Sequence, residues 1–195
     1  LLIFTLFVTQ IYDTYDQQFA QYFSMQFPTK EEGNHWYGIL ASLQVCGETL
    51  FLCLMPWFVN RTGAKWALII AGTIMSVRIA GSAIQLGPIW IAAVKMLHAI
   101  EKPLILVSVF KFISANFNNK LLSTVYLLVL FVASIATAIY SPIAGYLYDT
   151  IGFADTYLIL GAIAGCFTLL SVFTLRDART DKPVVTQPEG TIQAG

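Results

Sequence analysis

Charge is scarce in this chain of 195 residues: Asp, Glu, Lys and Arg make up 11% of it, eleven of each sign, for a formal net charge of +0. That balance, with no basic stripe interleaved with aromatics, sets nucleic acid aside as a partner. Cysteine is scarce too. Cys46, Cys53 and Cys166 fall singly inside apolar stretches, without the spacing of a disulfide framework or a zinc site, and are expected to be small packing residues. No charged n-region with a small-residue cleavage site follows Leu1, so the chain does not open on a signal peptide, and a start at Leu rather than Met leads us to expect a fragment.

What is abundant is apolar surface: 57% hydrophobic residues, 14% aromatic residues and a mean hydropathy of +0.70, outside the range of soluble domains. Apolar runs broken by turn residues predict helices near 1–25, 37–59, 66–86, 89–112, 121–147 and 157–175. Each has the roughly 20 residues a helix needs to cross about 30 Å of hydrocarbon. The connections at 27–36, 60–65, 86–88, 113–120 and 149–156 are short, so successive helices should be antiparallel neighbours. The expected fold is therefore an all-α integral membrane protein with six transmembrane helices over 1–175. The polar residues 176–195, with two prolines and two glycines, are expected to be a disordered cytoplasmic tail.

Cations near span ends set the orientation, because translocating them is unfavourable. Seven of the eleven, Arg61, Lys65, Lys111, Lys120, Arg176, Arg179 and Lys182, fall in or immediately beside the second and fourth connections and in the tail, whereas the other connections hold only Lys30 beside Glu31, Glu32, Asp149 and Asp155. Both termini are thus expected to be cytoplasmic. Trp36, Trp57, Trp66 and Trp90 sit at predicted span ends, the interface position an amphipathic ring prefers. Gly161/Gly165 and Ser141/Gly145 have the small-xxx-small spacing of close helix packing. Phe19, Phe23, Phe110 and Phe112 are read as packing or lipid-facing residues.

Against this background eight titratable groups lie inside predicted spans: Asp13, Asp16, Glu48, Arg78, Lys95, His98, Glu101 and Lys102. An unpaired charge there costs about 2.5 to 3.5 kcal/mol on insertion scales, and eight groups on four helices cannot all snorkel to the interface. The economical arrangement is a shared wet cavity with opposite charges paired, serving a transport or proton pathway; the alternative is a set of purely structural ion pairs. Asp13 and Asp16, three apart, face one side of their helix, and Lys95, His98 and Glu101 recur at i, i+3 and i+6. Lys102, seven residues after Lys95, returns to nearly the azimuth of Lys95. A carboxyl in a low dielectric can stay protonated near neutral pH, and an approaching cation favours its ionised form. This points to Glu101 as the proton site and Arg78 as the mobile cation beside it, in proton transfer linked to binding of a polar solute.

The run Tyr12-Asp13-Thr14-Tyr15-Asp16-Gln17-Gln18-Phe19 resembles that of the lactose permease family. So, in order and at matching spacing, do Gly47-Glu48, the 60–65 loop, Gly72 to Arg78 and Lys95 to Glu101. The resemblance, to the oligosaccharide:proton symporters of the major facilitator superfamily (lactose permease and sucrose permease type), extends to about Leu175. It implies the C-terminal six-helix half of a twelve-helix transporter in a bacterial inner membrane. It implies a disaccharide or oligosaccharide of lactose, melibiose, raffinose or sucrose type as substrate, moved by alternating access, with a proton as coupling ion and no other cofactor or metal. Its partners would be the sugar, the proton, the lipid bilayer and an N-terminal half carrying most direct sugar ligands. Residue by residue, it makes Glu48 and His98 a coupling pair, Glu101 the proton carrier, Arg78 its cationic partner, Asp16 and Lys95 an ion pair, and Tyr12 a hydrogen-bond partner of His98; Asp13 joins Glu48, His98 and Tyr12 toward the substrate.

Departures from the family pattern stand out. Ser134 occupies the place where lactose-transporting members carry a lysine that pairs with the position of Asp13, and Lys102 precedes Pro103 where an apolar residue is usual. The two changes lead us to expect an Asp13–Lys102 bridge. Phe51 replaces a polar amide one turn after Glu48, which leaves the sugar open. The rival readings are an intramembrane metalloenzyme built on His98, Glu101, Asp13 and Asp16, disfavoured because three nearby cations would repel a metal ion, and a non-transporting sugar sensor or structural protein with the same fold.

Overall fold

Thr29 opens the longest helix. Its Oγ1 accepts a hydrogen bond from the backbone N–H of Glu32 at 3.3 Å, and Glu31 and Glu32 occupy the first turn, where acidic side chains complement the helix dipole. In the computed structural model, which describes residues 1–175, this cap starts the helix at Lys30 rather than near 37. Hydropathy finds where a helix enters the hydrocarbon; the cap decides where it begins. The expectations for 176–195, including the contributions of Arg176, Arg179 and Lys182, lie outside the described residues.

The elements run α1 (Leu2–Phe4), a π-helical stretch (Thr5–Thr9), α2 (Gln10–Ser24), α3 (Lys30–Thr62), α4 (Ala64–Ser82), α5 (Pro88–Met96), α6 (His98–Asn116), a 3₁₀ turn (Asn119–Leu121), α7 (Leu122–Ile151) and α8 (Phe153–Thr174). No strand occurs among the described residues. Four of these helices, α3, α4, α7 and α8, are long and apolar enough to cross a membrane. The first and fourth expected spans are segmented, and their polar residues lower their hydropathy. The first passes through the π-helical stretch, where the Thr9 hydroxyl donates back to the Thr5 carbonyl at 2.8 Å. The fourth tightens at Leu97, whose backbone stays helical (φ −58°, ψ −22°) while its carbonyl accepts from both Ile100 and Glu101. Pro103, just downstream, lacks an N–H and crowds the carbonyl of Ala99.

Two expected loops shrink to single glycines. Gly63 (φ 90°) joins α3 to α4 and Gly152 (φ 85°) joins α7 to α8, backbone conformations that a side chain disfavours. The helices run through their polar ends because 33 residues rise about 50 Å, well past the hydrocarbon.

α4 lies at the centre, packed on α8 and α6; α6 also packs on α3, and α2 on α7 and α3. The α4–α8 seam uses the small residues read from the sequence. A Cβ on Gly161 would stand 2.8 Å from the Ala80 backbone nitrogen, one on Gly165 would stand 2.8 Å from Ser76 Oγ, and Ser76 Oγ donates to the Gly161 carbonyl at 2.7 Å. The Ser141/Gly145 pair makes no such seam, for a Cβ on Gly145 meets nothing within 4 Å. The three cysteines are also a correction: all are free and exposed on the outer faces of their helices rather than packed. Phe19, Phe23 and Phe112 are buried, and Phe110 is exposed beside Tyr126. All four tryptophans are exposed; the Arg61 guanidinium lies over the Trp57 ring, and Trp90 Nε1 donates to the Gly81 carbonyl.

Candidate functional site

Seven of the eight titratable groups form one connected network across α2, α3, α4, α5 and α6, and the eighth, Asp13, faces the same pocket. Its innermost part is a bidentate ion pair. Arg78 Nε donates to Glu101 Oε2 at 2.8 Å and Arg78 Nη2 donates to Glu101 Oε1 at 2.9 Å, with both side chains 0% exposed. Two parallel charge-assisted bonds are what a guanidinium fork offers a carboxylate. The guanidinium also lies over the rings of Tyr12 and Tyr15, at 5.2 and 4.8 Å. Its Nη1 is buried without a partner among the described residues.

His98 connects this pair to the next group outward. Its Nδ1 is 3.4 Å from Glu101 Oε1, and its Nε2 is 2.7 Å from the Tyr12 hydroxyl and 3.4 Å from Glu48 Oε1. The Tyr12 ring stacks on the imidazole at 4.3 Å. A neutral imidazole carries one proton and can donate to only one of these sides, so the tautomer of His98 chooses between Glu101 and the Tyr12–Glu48 side. Glu48 reaches His98 because Gly47 lets α3 approach α6: a Cβ there would stand 2.9 Å from the Ala99 Cβ. Gln44, one turn before Glu48, donates to Glu48 Oε1 at 2.8 Å. Sequence reading passed over Gln44, although its i, i+4 spacing to Glu48 is the signal that would have found it.

Lys95 pairs with Asp16, whose other oxygen accepts from the Tyr12 hydroxyl at 3.1 Å. The Lys95 ammonium also lies 4.6 Å from the Phe19 ring centroid. Tyr15 and Tyr22 hydrogen-bond Ser82, Tyr15 to its hydroxyl and Tyr22 to its carbonyl, and the Ser82 hydroxyl donates to the Arg78 carbonyl.

The expected Asp13–Lys102 bridge does not form. Lys102 Nζ lies 2.9 Å from Glu48 Oε2. Lys102 lines the same pocket as Asp13, yet its ammonium does not pair with that carboxylate. Lys102 instead shares the face of His98, four residues earlier, which meets α3. Asp13 turns toward Gln10: with the Gln10 amide nitrogen set to face acceptors, it donates to Asp13 Oδ2 at 3.1 Å and to the Ala133 carbonyl at 3.1 Å. Ser134 is exposed and donates to its own helix at the Leu130 carbonyl. Asp13, His98, Glu101 and Lys102 all line one pocket of about 200 Å³, with Gln10, Tyr12 and Ile105 among its walls. Chemically, this is a chain of titratable groups running from a buried ion pair to a largely apolar-walled pocket that also exposes hydroxyl, imidazole, carboxylate and ammonium groups.

A family model described as LacY proton/sugar symporter matches residues 1–188. The chain is 41% identical to the melibiose permease of Enterobacter cloacae over 176 residues, covering 89% of this chain and 41% of that protein. It is 40% identical to the raffinose permease of Escherichia coli over 176 residues (89% and 41%) and 39% identical to the lactose permease of Klebsiella oxytoca over 183 residues (93% and 44%). It therefore spans less than half the length of these relatives.

Proposed function

Because this chain belongs to the LacY proton/sugar symporter family, a family of transporters rather than enzymes, we propose that it carries the proton-handling part of a symporter for a disaccharide or oligosaccharide. The observation that carries the reading is the buried Arg78–Glu101 pair, linked through His98 to Glu48 and to a pocket lined by His98, Glu101, Asp13 and Lys102. Protonating Glu101 removes its charge from the pair and releases the guanidinium. That shifts the His98 tautomer and with it the acceptors that Tyr12 and Glu48 present to sugar hydroxyls. Glu48, His98, Tyr12 and Asp13 would contact the sugar; Glu101 and Arg78 would hold and return the proton; Asp16 with Lys95 would brace α2 against α5.

In this reading 1–175 form one six-span transmembrane domain of a bacterial inner-membrane protein, with both ends of the domain cytoplasmic and the segmented spans 1–25 and 88–116 completing the six. A second six-helix half, matching the remaining length of the relatives, would close the pocket into an alternating-access chamber. The proton is the coupling ion, and no cofactor enters the scheme.

Uptake of labelled melibiose, raffinose, lactose and sucrose by cells expressing the permease that contains this chain, with and without a protonophore, tests the proposal. Saturable uptake of one of these sugars that collapses on uncoupling is expected. Sugar binding without uptake would replace symport by a sensor.

A further inference from the structure

A lysine near the end of a buried network ordinarily extends its four-carbon stem into water. Lys102 does not. Although 55% exposed, its ammonium crosses from α6 to α3 and lies 2.9 Å from Glu48 Oε2. The other oxygen of that carboxylate accepts from Gln44 at 2.8 Å and lies 3.4 Å from His98 Nε2. Glu48, 13% exposed, is thus held from three directions by two helices. The charges of the network then divide into Arg78 with Glu101, Lys95 with Asp16 and Lys102 with Glu48, leaving Asp13 on the Gln10 amide.

Without Lys102 neither Asp13 nor Glu48 would have a cation beside it, and Glu48 would keep only an amide and an imidazole. A half-buried carboxylate in that position turns toward the ring or takes up a proton, and either change removes the fixed ionised acceptor. Lys102 makes no hydrogen bond or ion pair with Glu101, its chain neighbour, because the side chains of successive helical residues diverge by about 100°. From this geometry we infer that Lys102 is a positioning residue for Glu48. It keeps that carboxylate ionised and aimed at His98, so that an arriving sugar meets an oriented acceptor, and it acts on substrate affinity rather than on the proton site.

The inference rests on the transport reading, and the experiment separates the two. In the permease that contains this chain, sugar half-saturation is measured in uptake and in equilibrium exchange, normalised to the amount of protein in the membrane. Lys102→Met is expected to raise half-saturation about tenfold, the effect of losing one charge-assisted hydrogen bond, with little change in maximal exchange rate. Lys102→Arg, which keeps the cation, should restore it to within about threefold. In a Glu48→Gln background Lys102→Met should add nothing, while in an Asp13→Asn background its effect should persist in full. Lys102→Gln gives a second neutral variant should the Met variant fail to accumulate. Unchanged half-saturation in both neutral variants, or an undiminished effect on top of Glu48→Gln, would overturn the inference while the transport reading stands. Unsubstituted permease with no saturable uptake or exchange would overturn the transport reading and this inference with it.

Discussion

Glu101 sits at 0% exposure with both oxygens on Arg78 and one within reach of His98. An ionised carboxylate survives such burial only with a partner, so any proton it accepts competes directly with the guanidinium. Glu101→Gln keeps the shape of the side chain and removes the exchangeable proton. The expected outcome is loss of sugar accumulation against a gradient with equilibrium exchange retained, read from concentrative uptake beside counterflow in the same membranes; surviving accumulation would remove Glu101 from the proton path. The members of this site were legible in the sequence because a charge inside an apolar run is costly and therefore conspicuous. Their pairing was less so. Lys102 was matched to Asp13 because Ser134 leaves Asp13 without its usual lysine; that reasoning did not weigh Glu48, which the α3–α6 contact brings within reach of Lys102. Gln44 and Gln10 escaped notice because an uncharged amide does not stand out by cost, although both orient carboxylates of the site.

At the scale of elements, the position of the site depends on how closely α4 can approach α8 and α3 can approach α6. Gly161 stands against the backbone of Ala80, which cannot move aside, whereas Gly165 stands against the Ser76 hydroxyl, which can rotate. Gly161→Ala should therefore cost about 1 to 3 kcal/mol of overpacking and lower the melting temperature in detergent. Gly165→Ala should cost less, and Gly145→Ala, facing open space, should have no measurable effect. Equal melting temperatures for all three variants would contradict this seam. Periodicity and small-residue spacing located the helices and one true seam. They could not tell Gly161/Gly165 from Ser141/Gly145, because spacing along one helix says nothing about which neighbour lies opposite. The start of α3 was within reach of sequence reading after all: Thr29 and Glu32 have the T-x-x-E spacing of a helix start, which a hydropathy window averages away, and the Thr29 hydroxyl caps the Glu32 N–H.

At the scale of the whole molecule, the cations near helix ends predict which connections face the cytoplasm. A phosphatase reporter fused after Gly87 should be active and one fused after Gly63 inactive, with a cytoplasmic fluorescent reporter giving the reverse pattern; the opposite result would invert the proposed topology. The sequence by itself determined the solvent this protein is built for, the approximate run of its apolar segments, and the set of ionisable side chains that needed partners. It could do so because hydropathy and the cost of burying charge are properties of residues and short segments. Only the tertiary structure decided that seven of those side chains join in one network beside a pocket that Asp13 also lines, that Arg78 grips Glu101 with two bonds, and that Lys102 pairs with Glu48 rather than Asp13. Such pairings depend on which helix lies opposite and how closely it approaches, which no pattern within a single segment records.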